Sequence, residues 1–83
     1  MEFSREYVGH KERVNCIVVN EKRLFTGSND RTVKVFSLEN GEMLGSFEAD
    51  GPILSIAVEN DMLFAGLSDK MLNWSLKNIR KIN

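Results

Sequence analysis

The sequence predicts an all-β chain, on three observations. Its apolar residues fall in short runs of four to seven, rich in Val, Ile, Phe and Leu. Between the runs stand clusters of Asn, Asp, Gly and Ser, which tolerate left-handed backbone or cap their own chain. No window sustains a 3.6-residue apolar period over three turns, so no helix is expected. Short strands joined by hairpins fit this pattern.

Taken in order, residues 14–19 (VNCIVV) form a first strand, ended by the turn formers Asn20-Glu21-Lys22. Residues 24–27 and 32–36 follow, separated by Ser28-Asn29-Asp30. After Glu39-Asn40-Gly41 comes a fourth strand at 43–47, and Asp50-Gly51-Pro52 closes the series, Pro fixing φ there. A second series occupies 53–58, 62–67 and 71–76, broken by Glu59-Asn60-Asp61 and Ser68-Asp69-Lys70. Residues 79–82 are expected to add a short last strand. Met43, Met62 and Met71 lie in strands and are expected to fill core gaps.

The two series are copies. At an offset of 39, Ile17 meets Ile56, Val19 meets Val58, Leu24 meets Leu63 and Phe25 meets Phe64. Gly27 then meets Gly66 and Asp30 meets Asp69; after a one-residue deletion, Phe36 meets Trp74 and Ser37 meets Ser75. An all-β repeat of ~40 residues, four strands to a unit, has the period of propeller blades. The expected architecture is two four-stranded antiparallel blades. That is an incomplete propeller unless the chain oligomerises or belongs to a longer one.

Composition narrows the function. The 83 residues are 42% hydrophobic and 28% charged, the apolar content of a folded chain. Eleven Lys and Arg against twelve Asp and Glu give a net charge of −1, which leaves no positive excess to displace counterions from phosphates. No nucleic-acid partner is therefore expected. The single Cys16 cannot form an internal disulfide, and its place on an alternating strand points to a structural thiol. No apolar run reaches the ~18 residues of a membrane span, and the charged N-terminus lacks a signal-peptide core. A soluble protein of the cytoplasm or nucleus, away from membranes, is expected. No His/Cys cluster offers a zinc site, and Gly27-Ser28-Asn29-Asp30 lacks the P-loop spacing, so no cofactor or small-molecule substrate is expected.

In these segments the chain resembles WD40 repeats. Gly9-His10 stands at the family's Gly-His position, followed by strand a in VNCIVV, strand b in LFTGSND and strand c in TVKVFSL. Phe36 occupies the usual Trp position, and LENGEMLGSFE supplies a turn and strand d. The second copy departs further: Asp50 falls where a His belongs and Ala65 replaces the hydroxyl of Thr26, while Asp69 and Trp74 match. The resemblance covers roughly residues 3–82. It implies a blade at 9–48, a degenerate blade at 49–83, and in residues 1–8 strand d of a preceding or partner blade. Tyr7 then corresponds to Phe47, the aromatic that ends strand d of the first copy.

The resemblance also implies a buried network of His10, Thr26 and Asp30 in the first blade. Phe has no N–H donor, so the chain of hydrogen bonds is expected to stop at the Thr hydroxyl. The second blade would keep only Asp69 and Trp74, and should be weaker. A His, a hydroxyl and an Asp also invite a catalytic reading. A nucleophile, however, must stand beside oxyanion donors in a cleft, whereas Thr26 lies on an internal strand between large apolar residues. No catalytic residue is assigned.

Runs such as VNCIVV and ILSIAV are apolar on both faces, as strands between two neighbouring sheets are. Two blades have four faces, and packing them together covers two, whereas propellers close with four to eight blades. Either the chain is part of a longer WD40 protein, or identical chains close a ring in which residues 3–8 of one complete the last blade of the next. The unequal blades favour the first.

Such a module is read as a non-catalytic protein-interaction scaffold. The resemblance implies contacts from the d–a and b–c loops, at Arg13, Asn29, Arg31, Ser68 and Lys70, where Arg and Asn suit carboxylates or peptide backbone. The alternative for these residues is an ordinary solvated loop tip. At the level of the whole chain, alternatives are a fragment that docks onto and completes another WD40 protein, and, less favoured, a hydrolase using channel residues. Strand a would line that channel and offers only Asn15 and Ser55 there, with no acid, base or metal ligand. Partners are thus expected to be proteins, other blades or further copies of the chain.

Overall fold

The computed structural model describes residues 5–79. Seven strands follow one another: β1 (Val14–Asn20), β2 (Arg23–Ser28), β3 (Thr32–Ser37), β4 (Met43–Glu48), β5 (Ser55–Glu59), β6 (Met62–Gly66) and β7 (Met71–Ser75). They form two antiparallel meanders, β1-β2-β3-β4 and β5-β6-β7, which are not closed into a ring. The all-β class and the incomplete propeller architecture are as the repeat predicts.

Turn chemistry sets the registers. Glu59 pairs with Met62 across the two-residue loop Asn60-Asp61, whose φ angles of 51° and 63° are both positive. That is the type I′ pattern, whose twist matches the flanking strands. Asn20 pairs with Arg23 across a second two-residue loop, with Glu21 at φ 58°. At the β3–β4 turn Gly41 takes φ 76° and donates to the Ser37 carbonyl at 2.8 Å.

The core lies between the sheets. Phe25, Val33 and Val35 of the first sheet are buried with Leu63 and Ala65 of the second and with Ile53 and Leu76. Each large side chain so covered contributes roughly 1.5–3 kcal/mol. Alternation selects them: Cys16 and Val18 of β1 turn toward this core, while Ile17 and Val19 point away. Phe47 and Trp74 meet at its margin, ring centroids 5.5 Å apart.

The structure differs from the sequence reading in several places. Met43 and Met71, expected to fill core gaps, are 46% and 73% exposed, because alternation turns them to a strand face that no other sheet covers. The second sheet has three strands among the described residues. The last strand expected at 79–82 falls almost wholly outside them, and Ile79 lies in a bend after β7. Residues 5–8 are not paired as a strand, and residues 1–4 of the expected strand d lie outside the described residues. The physical reason is the lack of a ladder partner: this segment crosses the outer face of the first sheet, where Tyr7 meets Phe36 edge-on at 5.4 Å. Finally, β5 starts at Ser55 because Ile53 leaves the expected run to bond back to the first sheet, its N–H donating to the Ser28 carbonyl at 3.0 Å.

Candidate functional site

The loops leading into β1 and β5 and the turns β2–β3 and β6–β7 emerge at one end of the sheets. His10 reaches from the first of these loops into the β2–β3 turn. Its Nδ1 lies 3.0 Å from Asp30 Oδ2 and its Nε2 2.6 Å from Thr26 Oγ1. The His10 and Asp30 side chains are only 7% and 8% exposed. An ionised carboxylate only accepts, so Nδ1–H donates to Asp30, and with a neutral ring the Thr26 hydroxyl donates to Nε2.

Asp30 is held from several sides. It accepts from the Lys11 N–H at 2.9 Å, from the Thr32 N–H at 3.0 Å and from the Thr32 hydroxyl at 2.6 Å. Burial pushes its pKa upward, but the hydrogen bonds from Thr32, Lys11 and His10 together outweigh burial and hold the carboxyl well below the usual range. Arg31, next in the turn, is forced to φ 74°. Ser28, fully buried, accepts from the Asp30 N–H and donates to the Glu12 carbonyl.

Thr32 and Ser28 lie outside the network that the resemblance implies. Hydroxyls flanking Asp30 at 28 and 32 are the available signal, because Asp, Ser and Thr close local side-chain-to-backbone bonds over two residues. Phe36 stands apart from the network and packs on Tyr7.

The second sheet is built differently at the matching place. Asp69 is exposed, and Trp74 packs on Phe47, so the structure does not bring these two together. Lys70 instead pairs with Asp50 at 2.7 Å, both exposed. Their hydrogen bond, with Coulomb attraction behind it, lowers the Asp50 pKa and raises that of Lys70. Ser68 and Lys70 line a cavity of about 350 Å³ whose apolar wall is Pro52, Leu54 and Leu67.

The remaining rim residues divide by exposure. Arg13 and Arg31 are exposed; Arg31 borders a groove of about 550 Å³ with Lys11 and Glu12. Asn29 is half-buried, its N–H donating to the Arg13 carbonyl and its Oδ1 accepting from Asn15. Asn15 also donates to the Ile53 carbonyl at 2.9 Å, which ties this loop cluster to the second sheet.

Chemically, Thr26, His10 and Asp30 are aligned like a nucleophile, base and orienting acid. The hydroxyl, however, belongs to the middle of β2, between paired strands, and is 6% exposed at the residue level. The arrangement braces one loop against one turn. No helix among the described residues is long and apolar enough to cross a membrane.

Comparison with known proteins agrees with this architecture. The family model for the TEP-1 C-terminal beta-propeller matches residues 10–73. Among curated proteins, the chain is 37% identical over 68 residues to the U3 small nucleolar RNA-associated protein 15 homolog of Xenopus laevis, covering 77% of the chain and 13% of that protein. It is 30% identical over 80 residues to the WD repeat-containing protein 89 homolog of Dictyostelium discoideum, covering 90% and 22%. The Set1 complex component swd2 of Schizosaccharomyces pombe is 24% identical over 83 residues, covering 98% and 23%. The chain thus spans less than a quarter of these relatives. In fold it is similar to the crystal structure of the computationally designed Ika4 protein, with a TM-score of 0.80 at 16% identity, over 88% of this chain and 47% of that one. Repeat, sheets and comparisons agree that the chain belongs to the WD40-repeat beta-propeller family.

Proposed function

We propose that this pair of blades is a non-catalytic protein-interaction scaffold that presents its d–a and b–c loops to a protein partner. Residues 9–48 are read as one blade and 49–83 as a second, with 1–8 as strand d of a preceding or partner blade. The observation that carries the reading is the bracing of the rim. His10 and Asp30 fix the first d–a loop to its b–c turn, and Asn15 links both to Ile53, yet the side chains of Arg13 and Arg31 stay exposed. Loops held by buried bonds with free cationic tips bind at low ordering cost. Guanidinium groups there suit a partner's carboxylates or peptide carbonyls.

The name of one relative, a Set1 complex component, supports protein partners, while others are named for association with U3 small nucleolar RNA. An intracellular setting fits those names, the nucleus more directly than the cytoplasm. The near-neutral charge of this chain favours a protein surface over a phosphate backbone as its own contact. Affinity capture with the wild-type chain and the Arg13→Ala/Arg31→Ala double variant tests the reading. Partner recovery should fall at least tenfold with circular dichroism unchanged. Equal recovery of every bound protein would place the contacts elsewhere.

A further inference from the structure

We infer that Asn40 is a self-modifying site, an asparagine that deamidates through attack by the Gly41 main-chain nitrogen at a rate set by Arg5. The site lies in the β3–β4 turn, at the opposite end of the first sheet from Arg13 and Arg31, and is independent of the rim.

Of the eight asparagines only Asn40 precedes a glycine, which has no Cβ to crowd the attacking nitrogen. Asn40 is exposed, and Gly41 turns the chain with φ 76°. Asn40 Oδ1 accepts from the Glu42 N–H at 2.9 Å, an Asx turn that folds the side-chain amide back over the Gly41 peptide and polarises its carbonyl. The one Asp-Gly pair, Asp50-Gly51, is set up differently. Its carboxylate is ion-paired with Lys70 at 2.7 Å, and it would have to expel an oxide where the amide expels ammonia.

The step balances within the chain and one water. The Gly41 nitrogen bonds to Asn40 Cγ, the bond from Cγ to Nδ2 breaks, and ammonia leaves with the proton that the Gly41 N–H gives up. Water then opens the cyclic imide. Cleavage at Cγ gives aspartate; cleavage at the main-chain carbonyl gives isoaspartate, whose main chain runs through Cγ and is one carbon longer. Either product makes the chain one unit more negative, in a turn that already carries Glu39 and Glu42. The isoaspartate also lengthens the loop between Ser37 and Glu42, where the Ser37 N–H donates to the Glu42 carbonyl at 2.8 Å.

The fold restrains the attack. The Gly41 N–H is engaged by the Ser37 carbonyl at 2.8 Å, so the turn must open locally before the nitrogen reaches Cγ. Arg5 opposes that opening from the N-terminal segment. Its guanidinium donates to the Leu38 and Glu39 carbonyls, each at 3.4 Å, and its side chain lies over Gly41, with Cδ 3.0 Å from where a Cβ would stand.

Peptide mapping by mass spectrometry of the full chain, held in warm, mildly alkaline buffer, tests this. Arg5→Ala, Asn40→Gln and a urea-unfolded sample run alongside. The expected result is the mass gain of an NH2-to-OH exchange, mapped to residue 40 and accompanied by isoaspartate. Conversion should be about threefold faster in Arg5→Ala with circular dichroism unchanged, and fastest in urea. It should be absent from residue 40 in Asn40→Gln, whose longer side chain needs a larger ring. Should Arg5→Ala alter circular dichroism, Arg5→Lys, which keeps the charge and loses the two-pronged reach, carries the comparison. A native chain that stays unconverted while the unfolded chain reacts, conversion centred on another asparagine, or a rate indifferent to Arg5 would each overturn the inference.

Discussion

Ile53 closes over Gly27 so tightly that a single methyl group on the glycine would stand 2.5 Å from Ile53 Cγ2 and 2.7 Å from Cys16 Sγ. Both obstacles belong to the packing between the blades. Gly27→Ala should therefore destabilise the chain by about 1–3 kcal/mol, the usual cost of overpacking a filled core. In Gly66→Ala the new methyl meets only the Ser55 hydroxyl, which rotation can move aside, so the loss should be smaller. Urea titrations of the two variants should rank them in that order.

Removing the loop brace should cost stability without touching a reaction. His10→Ala leaves Thr26 and Asp30 each short of a partner in a nearly enclosed site. Losing hydrogen bonds to a charged group there should cost about 1.5–3 kcal/mol. Thr26→Val should cost less, because only the Nε2 contact goes. An ester-hydrolysis assay should read background for wild type and both variants; hydrolysis lost selectively in Thr26→Val would revive the catalytic reading.

Acid should weaken the first blade through Asp30. Its folded pKa is depressed, so below its ordinary value the unfolded chain takes up the proton more readily than the folded one. The stabilisation is complete above about pH 4, the ordinary Asp value, and is lost progressively as pH falls toward the depressed folded value. Denaturation midpoints of wild type and Asp30→Asn should differ at pH 6 and converge toward pH 2. A gap that stays constant with pH would assign the effect to shape rather than charge.

The Lys70–Asp50 pair should behave otherwise. Both side chains are substantially exposed, and such pairs contribute little and are screened by salt. Lys70→Ala should leave the melting temperature within error, at low and high salt alike. If the cavity bounded by Pro52, Leu54 and Leu67 takes part in binding, the same variant should weaken partner capture.

Much of this molecule was legible in the sequence. The 39-residue offset and the turn formers located seven strands to within about two residues, because both are local: hairpin register follows from which residues accept positive φ, and face follows from alternation. The resemblance to WD40 repeats, rather than any local pattern, implied the network of His10, Thr26 and Asp30, and the fold brings the last two within 3.0 Å of His10. The parts played by Thr32 and Ser28 are not legible in the sequence, because short polar residues beside a turn are common and only the fold brings both onto Asp30.

The sequence by itself determined the strands, their order in each hairpin and the division into two repeats. Tertiary structure alone decided which of two matching apolar faces is covered. Ile17 and Ile56 have the same neighbours in pattern, yet the first is exposed and the second packs on the core. Alternation fixes the side of a strand on which a residue points, whereas burial depends on which other sheet arrives there. The path of Ile53 over Gly27 and the replacement of the second network by Lys70 and Asp50 are of the same kind. Both rest on contacts between segments far apart in the chain.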